Sequence, residues 1–535
     1  MAERTRVVVI GGGVAGLATA GLLARDGYRV TVLERTDATG GRAGSLTVAD
    51  DPAAAGFRWD TGPSWYLMPE AFDRFFELMG TRTEDQLELV DLEPGYRVLP
   101  EGLPPVDVPV GVDRIAALFE ELEPGAGEEV RRYLAEAGDT YRIAVERFLY
   151  THFSSPAPFL HWSVLRRAGR LVRLLLGSLE NLVDRRFTDR RLRQILSYPA
   201  VFLSSRPADT PALYQLMSYT DLVQGVQYPL GGFTALVDAL HRLAVEHGAQ
   251  IRTGVEVTRI LTDRASANPL RRIPGLGRIV PDRARATGVL LSDGTEIAAD
   301  VVVSAADLHH TETALLPAGL RTYPERHWTT RNPGVGAVVV MLGVRGELPE
   351  LAHHTLIFSE DWTPDFAAVF DSVPGGTGAS NSVYVSRPSA TDPDVAPDGH
   401  ENLFILVPVA ADPTMGHGDA YADGAASDQV TRIADAAVAL VAARAGIDDL
   451  ASRIIVRRTL GPADFAERYH SWHGWALGLA HTLRQSAFLR GTNNSRAVAN
   501  LYYAGSTTTP GVGVPMCLIS AENVLNRLRA AGGSI

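Results

Sequence analysis

The sequence predicts an α/β protein. A dinucleotide-binding domain is assembled from separated stretches of chain, beside an α+β domain and a helical insertion that faces a membrane. Three observations predict it. Arg6 to Arg42 runs through a β-branched stretch, a glycine-rich turn, a helical stretch and a second β-branched stretch. Strand-like runs return at Ile251–Leu261, Ala286–Ile297 and Ala299–Ala306, and again from Leu501. Between them, Phe159–Phe187 is rich in arginine, with tryptophan and leucine at helical spacing and no acid before Glu180.

The first stretch sets the chemistry. Arg6–Ile10 reads as a buried strand, Ala15–Asp26 as a helix, and Val30–Leu33 as a second buried strand that ends on Glu34. Gly11, Gly13 and Gly16 give G-x-G-x-x-G between strand and helix, the context a dinucleotide fingerprint requires. Gly11 makes the tight turn, Gly13 lets backbone approach a pyrophosphate, and Gly16 lets helix pack on strand. The helix start, with Val14 and Ala15, offers unpaired N–H groups to phosphate. Glu34 is placed to accept from ribose hydroxyls, with Arg35 beside it. The spacing Glu34-x5-Gly40-Gly41-Arg42 resembles the signature of FAD enzymes of the glutathione-reductase and amine-oxidase superfamily. An arginine there can reach the pyrophosphate with its planar, multi-donor head. The cofactor read from this stretch is FAD rather than NAD.

Composition bounds the partners. A chain of 535 residues is long for one core, so two or three subdomains are expected. At 46% hydrophobic and 21% charged it reads as an ordinary globular protein, and a net charge of −12 argues against nucleic acid. All 50 basic residues are arginine. The single cysteine, Cys517, cannot form an internal disulfide and points to a reducing compartment. Val7–Ala24 carries no charge, but its glycines belong to the fingerprint, and no other stretch is apolar enough to span a bilayer. The expected location is cytoplasmic, with peripheral attachment to the membrane.

Downstream, Phe57–Ser64 (FRWDTGPS) suits a tight turn after a strand, and Gly62, Pro63 and Ser64 are candidate cofactor contacts. Residues 70–150 read as mainly helical, interrupted at Leu92–Pro105. In Phe159–Phe187, Trp162, Leu165, Gly169, Val172, Leu176 and Leu179 share one side of a helix, and Arg166, Arg167, Arg170 and Arg173 cluster away from it. A helix packed on its own domain shows a similar apolar stripe. The basic flank with tryptophan and leucine fits a membrane interface. Tyr228–Gly232 (YPLGG) precedes a helix at Phe233–His247, and Ile251–Leu261 reads as one strand carrying the candidate Val257. Ser266–Arg285 reads as a surface loop. Residues 308–494 alternate strand-like runs with an alanine-rich helix, Asp428–Ala443.

Near the C-terminus, a short strand from Leu501 gives way to a Gly/Pro loop and a final helix with Pro515 in its first turn. Gly505, Gly513, Val514, Pro515 and Met516 are candidate flavin contacts, because N–H groups at that helix start can stabilise negative charge on reduced flavin. The stretches GGGVAGL…GGR, FRWDTGPS, YPLGGF and YYAGSTTTPGVGVP, in this order, resemble the bacterial-type phytoene desaturases, the carotenoid desaturase and isomerase branch of the flavin amine-oxidase superfamily. That resemblance implies removal of hydride and proton from a long polyene such as phytoene, with oxygen or a membrane quinone as electron acceptor. Amine oxidases of this fold usually hold a flavin-bound water through a lysine, and this chain has none. A carotene isomerase working with reduced flavin shares the fold, and so do prenyl-lipid-binding proteins such as the Rab GDP-dissociation inhibitors. No motif identifies the catalytic acid or base. The expected boundaries are 1–66, 229–307 and 495–535 for the FAD domain, which is Rossmann-like, and 67–228 and 308–494 for the substrate domain, with residues 150–200 helical.

Overall fold

A computed structural model describes residues 4–48, 51–151, 161–263, 283–371, 378–421 and 424–532. Its first layer is a five-stranded parallel sheet. The strand order is Leu501–Tyr503, Val301–Ser304, Arg6–Ile10, Arg29–Leu33 and Gln250–Arg252. Successive strand side chains point to opposite faces, so the sheet divides its apolar residues by parity. Val7 and Val9 face the helices Val14–Arg25, Gly232–Glu246 and Val514–Gly532. Val8 and Ile10 face a three-stranded antiparallel layer, Val257–Asp263, Arg285–Leu291 and Glu296–Ala298.

The reading of Ile251–Leu261 as one strand is corrected. Gln250–Arg252 ends the parallel sheet, and Val257–Asp263 begins the antiparallel one. Gly254, at φ +67°, turns the chain between them. Its N–H donates to Thr36 O, and that of Val255 to Glu34 O, each at 2.8 Å. The break lays residues 255–257 over Glu34.

The second body is a seven-stranded mixed sheet. Its order is Ile454–Leu460, Val335–Arg345, His400–Ala410, Val383–Ser386, His354–Phe358, Tyr96–Pro100 and Val106–Val108. Tyr96–Pro100 falls in the interruption expected at Leu92–Pro105, and Val106–Val108 lies just beyond it. The helix Asp428–Ala445 covers one face, burying Val338, Val340, Leu403 and Ile405. The opposite face looks toward the parallel sheet. Among the described residues, no helix is long and apolar enough to cross a membrane.

The single helix expected over Phe159–Phe187 is broken. Residues 159 and 160 lie outside the described residues. Beyond them stand three short helices, Trp162–Leu165, Ala168–Leu176 and Leu179–Asp184. Arg167 closes the first break by pairing with Asp139 at 2.8 Å, and Arg170 also pairs with that carboxylate. Leu179 is not on an outer face. Beyond Gly177 the chain turns inward, and Leu179 packs with Val183 and Phe187. Trp162 and Leu176 are each 71% exposed and Val172 53%. Of the loop Ser266–Arg285, residues 266–282 lie outside the described residues.

Candidate active site

Every site residue named from the sequence except Gly16 lines one continuous cavity between the two sheets. The fingerprint supplies its floor. Gly11 turns at φ +96°, as the tight turn requires. A Cβ on Gly13 would meet nothing of the protein closer than 3.7 Å, so its bare backbone opens on the cavity. Gly16 acts elsewhere. A Cβ there would lie 1.9 Å from Gly11 O, so this glycine lets the helix close on the turn itself.

Glu34 stands at one end. Its carboxylate accepts from Gly12 N at 2.6 Å, Thr36 N at 2.9 Å and Thr36 Oγ1 at 2.8 Å. A carboxylate has about four acceptor positions, so capacity remains for a ribose hydroxyl. Arg35, Val257 and the parallel-stacked imidazoles of His310 and His470, 3.8 Å apart, complete this end.

The middle of the cavity is built where four quoted stretches meet. Gly40 N donates to Gly12 O at 2.9 Å, which stitches the Gly-Gly-Arg turn to the fingerprint. Ser45 pairs with Asp60, and a Cβ on Gly62 would lie 2.1 Å from Arg42 O, so the Gly62-Pro63-Ser64 turn lies directly on that backbone. Asp60 in turn accepts from Phe233 N at 3.0 Å and caps the helix after Tyr228–Gly232. From the C-terminal side, Gly505 N donates to Ser520 Oγ at 3.0 Å, and Gly513–Met516 present the last helix start to the cavity. Arg490, which the sequence reading missed, holds this loop from behind. It is 3% exposed and donates to Ser506 O at 2.5 Å and Thr508 O at 3.2 Å.

Arg42 is the most telling side chain. Its guanidinium is buried, lies 4.2 Å over the Trp475 ring, and donates from Nη2 to Ser506 Oγ at 3.0 Å. Nη1 has no partner within the protein. Burial lowers its pKa, but a guanidinium stays charged regardless. A buried cation with an orphaned donor beside bare glycine backbone is a site for an anion.

The other end is apolar. Trp65, Tyr198, Phe202, Phe366, Phe370 and Phe404 line it, joined by Val339 and Leu406 from the seven-stranded sheet. None of these was named from the sequence. In His400–Ala410 the parity was readable. Phe404, Leu406 and Pro408 face the cavity, whereas Leu403, Ile405 and Val407 face the helix Asp428–Ala445. Both faces are apolar, so nothing in the pattern marked one as a cavity wall.

Residues 14–528 match the family model described as flavin containing amine oxidoreductase. The chain belongs to that family. It is 39% identical over 524 residues to a carotenoid 3,4-desaturase of Haloarcula japonica, covering 98% of this chain and 97% of that one. It is 33% identical over 527 residues to a zeta-carotene-forming phytoene desaturase of Myxococcus xanthus, covering 98% and 93%. The solved structure of a putrescine oxidase bound to putrescine superposes with a TM-score of 0.60 over 99% of each chain, at 14% identity, so that likeness concerns the fold.

FAD is the cofactor of this flavin-containing oxidoreductase, and the residues present fit it. Gly11, Gly13 and the orphaned Arg42 Nη1 suit its pyrophosphate, Glu34 its ribose, and the helix start at Gly513–Met516 its flavin.

Proposed function

We propose that this oxidoreductase is an FAD-dependent carotenoid desaturase that acts on CH–CH bonds of a long apolar polyene such as phytoene. The observation that carries the reading is the aromatic chamber that continues directly from the dinucleotide cradle. The names of the two relatives support the substrate class.

A saturated carbon beside a polyene has no acidic proton, so hydride departure comes first and leaves a delocalised positive charge. When bound, FAD supplies the two-electron acceptor. The chain's own residues do the rest. The faces of Trp65, Tyr198, Phe202 and Phe404 are electron-rich and favour a cation held against them. The apolar walls exclude water, which would otherwise capture that cation. Anaerobic mixing with phytoene should bleach the flavin and yield a more conjugated product. An unbleached flavin would remove the assignment.

The polyene is expected to enter from a membrane, with the protein peripherally attached to the cytoplasmic membrane through 161–176. The exposed Trp162, Val172 and Leu176 support this, as do the exposed Arg166 and Arg173. The helix Ala168–Leu176 packs on the turn Ala212–Gln215, whose Tyr214 lines the cavity. Reoxidation is expected by oxygen or a membrane quinone, because the sequence holds one dinucleotide fingerprint. Turnover that strictly needs NAD(P) would refute that part.

A further inference from the structure

Desaturation needs a second acceptor. After hydride leaves one carbon, the neighbouring carbon must lose a proton, and the chamber that protects the cation keeps out water. We infer that Asp221 accepts this proton through the hydroxyl of Tyr198, and that its carboxylate is the counter-charge for the transient cation. The inference rests on the desaturase reading.

Asp221 is 4% exposed. Tyr198 Oη donates to its Oδ2 at 2.7 Å, and Tyr96 Oη at 3.2 Å. Its Oδ1 is buried with no partner. Among the described residues no arginine or histidine lies within ion-pair distance of it. Burying an ionised carboxylate without a cation is costly, and leaving one oxygen unpaired adds to the cost. The fold nevertheless keeps the acid directly behind the cavity wall. Tyr198 and Thr220 both line the cavity, and Thr220–Gln224 winds as a π-helix, an irregularity often found at functional sites.

Among the other titratable groups at the cavity, three invite the same role. Glu70 stands behind the lining residue Tyr141, but both its oxygens are engaged, one by Tyr141 Oη and the other by Gln224 Nε2 at 3.2 Å. Asp365 is saturated: it accepts from Ser359 Oγ at 2.6 Å, Ser382 Oγ at 2.8 Å, Asn381 N at 2.8 Å and Asn381 Nδ2 at 3.3 Å. Tyr384 Oη meets Ser64 Oγ at 2.6 Å and His354 Nδ1 at 2.7 Å, which is also a relay. Its end point, however, would be an imidazolium. His354 is fully buried, and burial with neighbouring His353 holds its pKa well below the ordinary value. A proton delivered there creates a buried charge, whereas a proton delivered to Asp221 removes one. In a medium of low dielectric that difference decides between them.

The step balances. The first C–H bond breaks with both electrons, and hydride passes to the flavin. The second breaks with its electrons left behind as the new π bond. Its proton goes to Tyr198 Oη as the tyrosine's own proton passes to Asp221 Oδ2, leaving a neutral carboxyl. Burial raises the Asp221 pKa to about 7, so the acid can release the proton again between turnovers.

The test uses Asp221→Asn and Tyr198→Phe in the full chain. With FAD bound, flavin absorbance should match wild type, while product formation from phytoene slows roughly 100-fold in Asp221→Asn. Phytoene deuterated at the proton-losing carbon should show a larger isotope effect in both variants than in wild type. In cofactor-free protein, the infrared difference spectrum of wild type minus Asp221→Asn should show a carboxyl C=O band that titrates near neutrality, the band of buried Asp60, also raised to about 7, being common to both and cancelling. Wild-type product rates and isotope effects in both variants would overturn the relay alone, and so would the absence of that band from the difference spectrum. Wild-type flavin that no carotenoid bleaches would overturn the desaturase reading and the relay together.

Discussion

Arg42 donates from Nη2 to Ser506 Oγ at 3.0 Å, which joins the segment after the second strand of the parallel sheet to the segment after the strand Leu501–Tyr503. Its second terminal nitrogen is left for the cofactor. Arg42→Met keeps the packing on Trp475 and removes both donors. The expected result is a loss of FAD affinity of about 1.5–3 kcal/mol, the range for hydrogen bonds to charged groups. Equilibrium dialysis against FAD measures it, and unchanged affinity would move the pyrophosphate away from Arg42.

Gly13 and Gly16 should separate binding from folding. Gly13→Ala fits the protein, because its Cβ meets nothing closer than 3.7 Å, yet the methyl enters the space a pyrophosphate would need. Gly16→Ala puts a Cβ 1.9 Å from Gly11 O, which forces the turn apart. Gly13→Ala should keep the wild-type Tm of the cofactor-free protein and lose FAD affinity roughly tenfold or more. Gly16→Ala should lower that Tm. Equal Tm losses in both would refute the division.

The fingerprint was legible because its physics is local. A strand, a φ-positive glycine, a helix start and an acid all fall within Arg6–Arg42. The meeting of Asp60 with Phe233 N, or of Gly62 with Arg42 O, was present only as motifs whose partners the sequence does not name. The split at Gly254 was hidden because Val255 and Val257 have the β-branched character of either strand. Asp221 was illegible for a different reason. Ser218–Asp221 carries no motif, and only the fold brings Tyr96 and Tyr198 onto the Asp221 carboxylate.

Asp221 also predicts a pH dependence of stability. Its folded pKa of about 7 lies above the ordinary 3.8, because burial penalises the ionised form. The folded state therefore holds the proton more tightly than the unfolded chain. Stability from this group is full below about pH 4 and is lost as pH rises toward about 7. Asp221→Asn carries no charge to bury, so it should gain stability relative to wild type between about pH 4 and pH 8, by on the order of 4 kcal/mol. Urea unfolding across that range checks the sign. A constant difference between the two proteins would show that Asp221 does not titrate there.

The four arginines read from the sequence as one basic cluster should divide into two pairs. Arg167 and Arg170 are engaged with Asp139, so reversing them leaves that carboxylate facing acids in a half-buried place. Arg167→Glu with Arg170→Glu should lower Tm. Arg166 and Arg173 are exposed, beside Trp162, Val172 and Leu176. Reversing these two should leave Tm unchanged and weaken binding to anionic vesicles, since each basic residue near such a surface contributes about 1 kcal/mol. Trp162→Ser with Leu176→Ser should weaken binding to neutral vesicles as well, because it removes apolar burial rather than charge. Added salt should release the wild-type protein from anionic vesicles only in part, the apolar share being unscreened. Vesicle co-sedimentation that is the same for wild type and all three double variants would return this face to ordinary solvent exposure, and the polyene would need another way in.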